Sequence, residues 1–295
     1  MSLLRPVPTF DRAVWAGEAL HAWRGPEARG AAASREVNAA LPLVGGGVLG
    51  DAVTLPFEVK LLDVGDRLSV QVHPDDAEAR ARGLPVGKDE AWVVLAAGPG
   101  ARVAAGFTQP LSPEALAEAC ERGTLPHLLA WREVAPGDVV DLPAGTVHAA
   151  VGPLVLYEVH TPCDVTLRMY DWGRGRALDI PAALRVARGA PAPGRGGVAE
   201  GMSPPPQTSH GERVEVLVEG PSFSIVRARG PCAIPMRGAL ALTVVSGEVR
   251  LDGEAVGSGG SVVVVGAPGM RRLDGTGEVL VACASGVLAE APAGV

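Results

Sequence analysis

A succession of short apolar, β-branched runs, each closed by glycine or proline, governs how this chain can pack. LPFEVKLLDV, RLSVQVHP, EAWVVLAAG and ARVAAGF follow one another from Leu55, and VVDLPAGTVHAAVGPLVLYEVH and DVTLRMYDWG continue the series. Valine and isoleucine suit a pleated, half-buried surface, and glycine and proline punctuate it with turns. The chain has 39 Gly and 26 Pro but only 4% aromatic residues, so it reads as many short strands rather than a few long helices. The expected fold is mainly β with a few short helices. One run is odd: in SVQVHPDD, Ser69, Gln71 and His73 alternate with Val70 and Val72, and Pro74 stops the strand. An ordinary half-buried strand would leave that polar face in water.

Composition narrows the function classes. A length of 295 residues with 47% hydrophobic content is enough for two modest domains or one large one. The net charge of −7, without a basic block, argues against nucleic acid or an anionic membrane as partner, while a phosphorylated small molecule needs only a few local cations. Cys120, Cys163, Cys232 and Cys283 form no CxxC pair and no disulfide framework, which suits a reducing cytoplasm. The N-terminal MSLLRPVPTFDRAVW lacks a signal-peptide core, and no apolar run has the length of a bilayer span. The expectation is a soluble, cytoplasmic protein, monomer or dimer.

Along the chain, a helix is possible over Ala13–Trp23. Asp75 and Asp76 cap a helix in DDAEARARG. Ser112, Pro113 and Gly123 mark the N-cap, first turn and end of PEALAEACERG, and IPAALRVAR fits another short helix. The Gly/Pro/Ser-rich segment 189–211 reads as a linker. It separates a first unit, residues 1–188, from a second all-β unit, residues 212–295, with six or so short strands.

The polar outliers of the first unit fall into a pattern. GDRLSVQVH and GDVVDLPAGTVH resemble the two sequence motifs of the cupin superfamily, small β-barrels that bind a metal through His and Glu. LSVQVHPDD, GKDEAW, PAGTVHA and DVTLRMYDWGR together resemble, more narrowly, the short bacterial form of the type I mannose-6-phosphate isomerases, over roughly Pro56 to Arg174, with a looser match at RAVWAGEAL. The resemblance implies two cupin-like (jelly-roll) β-barrel domains. It implies one Zn2+ per chain held by Gln71, His73, Glu90 and His148. It implies a catalytic Arg168, with Lys88 and Glu158 in the same site, and interconversion of mannose 6-phosphate and fructose 6-phosphate through a cis-enediol.

Two imidazoles, a carboxylate and an amide oxygen suit Zn2+, and the absence of thiolate suits a Lewis-acid centre. Lys88, Lys60 and Ser69 are candidates for the phosphate or the sugar hydroxyls. The base is left open between Glu158 and a hydroxide on the metal. The chain departs from the family before Pro56, where AAASREVNAALP replaces a GESW-type stretch, and at EVHTPCDVT. In the second unit GGSVVVVGAPG is followed by Met270 and Arg271 rather than His, which reads as a degenerate cupin without metal. Taken singly, the residues have plainer readings: Arg168 as ion-pair partner of Asp164 or Asp171, Lys60 as a snorkelling edge residue, Trp92 and Trp172 as core or pocket wall, and Cys163 as simply buried. Rival functions are an iron-dependent cupin oxygenase, which would want a His-x-His motif where Gln71 stands, and a non-catalytic sugar-binding cupin.

Overall fold

A computed structural model describes residues 55–190 and 213–285, together with the backbone of three short strands, β1 (Ser2–Leu4), β2 (Thr9–Asp11) and β3 (Glu36–Asn38). The helix expected at Ala13–Trp23 and all but the first two residues of the expected linker lie outside the described residues. The chain folds as two compact units, one built on residues 60–200 and one on residues 201–295.

The first unit contains β4 (Glu58–Val64), β5 (Val70–Val72), β6 (Glu90–Ala97), β7 (Arg102–Phe107), β8 (Leu129–Glu133), β9 (Val139–Leu142), β10 (His148–Val151), β11 (Leu154–His160) and β12 (Leu167–Tyr170). Its helices are α1 (Asp76–Ala81), α2 (Pro113–Arg122) and α3 (Ile180–Val186). The strands form two antiparallel sheets, ordered β12-β5-β10-β7-β8 and β2-β3-β4-β11-β6-β9. One apolar cluster joins them: Leu62 and Val64 of β4, Trp92 and Val94 of β6, Val103 of β7 and Leu156 of β11 belong to it. The other face of the five-stranded sheet packs on helices. Val70, Val72, Leu167 and Met169 meet Leu116 and Ala119 of α2 and Ala182 and Ala183 of α3. The odd alternation in SVQVHPDD has its cause here. The valines are covered by helices, and on the other face His73 is buried and Gln71 partly so.

The helix ends follow the sequence signals. Asp75 accepts from the Glu78 amide, Ser112 accepts from the Ala115 amide, and Gly123 ends α2 at φ +67°.

The second unit has more strands than the six or so expected. They are β13 (Val214–Glu219), β14 (Phe223–Arg229), β15 (Cys232–Met236), β16 (Leu240–Ser246), β17 (Val249–Leu251), β18 (Glu254–Val256), β19 (Ser261–Val265), β20 (Gly269–Gly275) and β21 (Glu278–Ala284). They form the sheets β1-β19-β16-β21-β14-β13 and β15-β20-β17-β18, which share one core containing Val226, Met236, Leu242, Leu251, Val264 and Val281. GEVRLDGEAV forms a hairpin of two very short strands around the turn at Asp252 and Gly253, and the count also rises because β15 and β20, which pair with each other, carry proline, glycine and arginine that break the apolar pattern.

The partition also differs from the expected 1–188 boundary. Strand β1 pairs with β19, Ser2 opposite Val265, and so belongs to the C-terminal sheet. A lone three-residue strand carries no periodicity that assigns it to a sheet; the edge of β19 does that.

Candidate metal centre

His148, Gln71 and Arg168 form one cross-strand row. Gln71 on β5 lies opposite His148 on β10 and opposite Arg168 on β12. Residues opposite one another in a ladder share a face, so all three point towards the second sheet. The second sheet answers with its own row. Glu158 on β11 lies opposite Trp92 on β6, and His160 lies opposite Glu90. Since the period of a strand is two, Glu90 and Trp92 share a face, as do Glu158 and His160.

Loops complete the set. Pro74 ends β5 just past His73, and the turn 143–146 delivers His148. The Gly145 amide donates to the His73 carbonyl (3.0 Å), and the Ala144 amide donates to the Asp89 carboxylate (3.0 Å). Gly145 has φ +85°, and a Cβ there would come within 2.7 Å of the Val186 carbonyl oxygen, so the PAGT corner needs glycine.

The ligand atoms of His73, Glu90 and His148 all lie within 4.8 Å of one another, and all three residues are buried. The ring of His73 hydrogen-bonds through Nδ1 to the Val165 carbonyl (3.0 Å), and that of His148 through Nδ1 to the Thr146 carbonyl (2.9 Å). A carbonyl only accepts, so in the neutral imidazoles both protons sit on Nδ1 and both Nε2 lone pairs face the centre. Burial, reinforced for His73 by the Lys88 cation and for His148 by His73, lowers both imidazole pKa values, that of His148 to about 4.

His73 Nε2 lies 2.8 Å from Glu90 Oε2, and the Lys88 ammonium lies 3.0 Å from the same oxygen. Two imidazole nitrogens and a carboxylate converging in a buried space are a donor set that fits a divalent metal. Burial opposes ionisation of Glu90, but Lys88 and His73 outweigh it and hold the carboxyl well below the usual range. Gln71 sits beside this group with its amide nitrogen 3.2 Å from His148 Nε2 and its Oε1 accepting from the Ser69 hydroxyl (2.8 Å). Turning the amide over exchanges the two atoms and aims the oxygen at the centre, with the Ser69 hydroxyl then accepting.

The remaining predicted residues divide into two groups. Lys88, 5% exposed, lies 3.0 Å from Glu90 and 3.8 Å from Glu158. Burial works against its charge, but the two carboxylates outweigh it and raise its pKa. Glu158 is also buried. Burial first, then the charge of Glu90, pushes its carboxyl up to about 8, so it can take and return a proton near neutral pH. Arg168 is half-buried and its Nε has no hydrogen-bond partner. Burial and the nearby Arg176 lower its pKa. The ion-pair reading does not hold among the described residues: Asp164 pairs with Lys60, and Asp171 with Arg174 and Arg176.

Lys60, expected at substrate or at an edge, is 7% exposed and 3.3 Å from Asp164. Ser69 is buried and engaged by Gln71. Cys163 and Trp92 are buried as read, while Trp172 is only partly so.

Sequence reasoning missed two residues of this face. His160 is fully buried with Nε2 3.7 Å from Glu158, and Trp92 does more than fill the core, as its indole N–H reaches the carboxylates of Glu90 and Glu158. Period two from Glu158 along YEVH and from Glu90 along EAW was the signal available for both.

The class that emerges is a mainly β protein with a cupin-like fold, in two units, with a buried His/Glu/His group in the first. No family model matches the chain. It is 32% identical over 206 residues to the mannose-6-phosphate isomerase of Streptococcus mutans, a stretch covering 66% of this chain and 62% of that protein. The chain thus spans less than two thirds of that relative's length. In fold it matches the crystal structure of the mannose 6-phosphate isomerase from Bacillus subtilis with a TM-score of 0.76 at 24% identity, covering 96% of this chain and 99% of that one. A mannose 6-phosphate isomerase solved with zinc and yttrium bound matches with a TM-score of 0.72 at 17% identity, over 97% and 100% of the two chains. The chain is a sequence relative of the mannose-6-phosphate isomerases and shares their fold.

Among the described residues no helix is long and apolar enough to cross a membrane.

Proposed function

We propose that this chain is a zinc-dependent aldose–ketose isomerase that interconverts mannose 6-phosphate and fructose 6-phosphate, with one zinc held by His73, Glu90, His148 and the turned amide of Gln71. The observation that carries the reading is the buried convergence of His73, Glu90 and His148, whose ligand atoms lie within 4.8 Å of one another, with His73 Nε2 2.8 Å from Glu90 Oε2. Zinc, when bound, supplies a Lewis acid that polarises the sugar's carbonyl and hydroxyl oxygens.

The other roles fall to side chains of the same cavity. Glu158, with its raised pKa, removes the proton from one of the two adjacent carbons and returns it to the other. Arg168 offers its unpartnered guanidinium Nε to the enediolate oxygens as charge develops there. Lys88 keeps Glu90 ionised and stands close enough to Glu158 to share the charge that moves through it. Lys60 remains the candidate for the phosphate, and Ser69 orients the Gln71 amide. The four free cysteines suit a reducing compartment, and we place the protein in the cytoplasm.

Purified protein should contain about one equivalent of zinc per chain and convert fructose 6-phosphate to mannose 6-phosphate, losing activity on chelation and regaining it with zinc. Protein that binds no divalent metal, or that binds it and leaves the phosphosugar unchanged, overturns the reading. Iron with oxygen consumption would favour the oxygenase alternative instead.

A further inference from the structure

Glu90 and Glu158 are two carboxyl groups of one side-chain cluster, and both are almost wholly buried, at 1% and 4% exposure. Two carboxyl groups so placed need donors that fix where each oxygen goes. The structure provides two, on opposite oxygens. Lys88 Nζ approaches Glu90 Oε2 (3.0 Å) and Glu158 Oε1 (3.8 Å). The indole N–H of Trp92 donates to Glu90 Oε1 and to Glu158 Oε2 (3.1 Å).

Lys88 is a flexible ammonium on a four-carbon stem. Trp92 is a rigid plane with no solvent exposure, locked by its strand position between Glu90 two residues before it and Glu158 directly across the ladder. The same ring stands edge-on to the His148 imidazole, with centroids 5.4 Å apart and planes at 83°. One side chain therefore touches two of the proposed metal ligands and the proposed base.

Resting on the isomerase reading above, we propose that Trp92 is a positioning residue. Its N–H holds Glu90 with Oε2 turned to the metal and holds Glu158 with Oε1 turned to the substrate, and its ring edge fixes the plane of His148. An aromatic residue that only filled the core would need no N–H here. Phenylalanine would fill much of the space and still meet His148, but would leave Glu90 Oε1 and Glu158 Oε2 without this donor. The carboxyl pair would then keep its contacts on the other two oxygens, from Lys88, His73 and His160, but lose the donor to Glu90 Oε1 and Glu158 Oε2 and gain rotational freedom about its terminal torsions.

The test compares wild type, Trp92→Phe and Trp92→Leu as full-length proteins. Each is stripped and reloaded with Zn2+ or Co2+, with folding checked by thermal melts of the metal-free forms. Trp92→Phe should bind zinc about 10-fold to 100-fold more weakly in chelator competition, the range of an outer-shell change. The visible absorption of the Co2+ form should change in position or intensity, since Glu90 no longer presents the same oxygen. At saturating zinc, kcat should fall while KM changes less, because Glu158 and not substrate binding is disturbed.

Equal zinc affinity and an unchanged Co2+ spectrum in Trp92→Phe overturn the proposal. A loss seen in Trp92→Leu alone assigns the residue to packing and overturns it equally. A wild-type protein that takes up no metal refutes the isomerase reading itself, whereas normal wild-type loading with an unperturbed Phe variant refutes only the role of Trp92.

Should Trp92→Phe not fold, the indole 15N–1H signals of the wild-type protein decide. A downfield, exchange-protected indole proton that shifts when zinc is added supports the clasp, and the absence of such a signal overturns it.

Discussion

The two units of this protein are both pairs of antiparallel sheets around a shared interior, yet their interiors differ in kind. Among the described residues of the C-terminal unit the buried polar side chains are Ser224 and Thr243, and one apolar core includes residues from Val214 to Cys283. The N-terminal interior buries Lys60, Asp63, Ser69, His73, Lys88, Glu90, His148, Glu158 and His160 beside its valines and leucines. Apolar burial stabilises a fold by about 25 cal/mol per Å2, whereas an unpaired buried charge costs several kcal/mol. A chain carries such an interior where the charges are needed for chemistry and are held in mutual contact, as Lys88, Glu90, His73 and Trp92 are. On the proposed function, one architecture divides labour: the unit with the apolar core contributes stability, and the unit with the polar row contributes the site.

The strongest test of that division removes a ligand. His148→Ala should weaken zinc binding by more than about 100-fold, beyond what outer-shell changes cost, and abolish isomerase activity at ordinary zinc levels. Metal analysis beside the assay measures both, and a variant with full zinc and full turnover would misassign the centre. His73→Ala should behave alike, and Gln71→Ala more mildly, since a neutral amide is the weakest donor of the four.

Next comes Arg168, on the same row but not a ligand. Arg168→Ala should lower kcat by about 10²-fold, the scale of losing one preorganised donor, with zinc content unchanged. Arg168→Lys should recover little, because an ammonium does not reproduce the planar fork. Near-normal kcat in the Ala variant, measured at saturating substrate and matched metal, would leave the guanidinium a structural role only.

In the C-terminal unit the effect should move from chemistry to stability. Leu242 is fully buried in the core, so Leu242→Ala should cost about 2–5 kcal/mol in denaturant unfolding while leaving zinc stoichiometry and kcat of the folded fraction as they were. Zinc bound by this unit would erase the contrast.

The smallest expected effect tests whether the polar character of the N-terminal unit is confined to its site. Glu78 of α1 is held down at about 2, chiefly by its hydrogen bonds from Arg185, with Arg82 adding to them against the cost of burial. A carboxyl lowered in the fold stabilises it above the unfolded value, near 4.5, and that contribution fades as pH falls through about 2. Glu78→Gln should therefore be less stable than wild type at neutral pH, by about 1 kcal/mol because solvent screens the partly exposed Arg185, and the gap should close on acidification towards pH 2. A gap that stays constant with pH would show that shape, not charge, matters at this position.

Much of this was legible in one dimension because its causes are local. Period-two alternation and Gly/Pro stops gave the strands. Asp75, Ser112 and Gly123 marked helix ends through bonds spanning three or four residues. The spacing of Gln71 and His73 and the PAGT corner before His148 depend on a single strand and a single turn. What lies between distant segments was not legible. The contact of Gln71 with His148 joins residues 77 apart, and that of Trp92 with Glu158 joins residues 66 apart. No local pattern encodes which carbonyl takes each imidazole proton, that Ser69 turns to Gln71 rather than to solvent, or that β1 closes the far sheet. Which side chains turn inward could be read from the order of residues, because side-chain direction follows strand period. Which of those side chains meet could not, because strand register and sheet order are set by packing the whole chain at once.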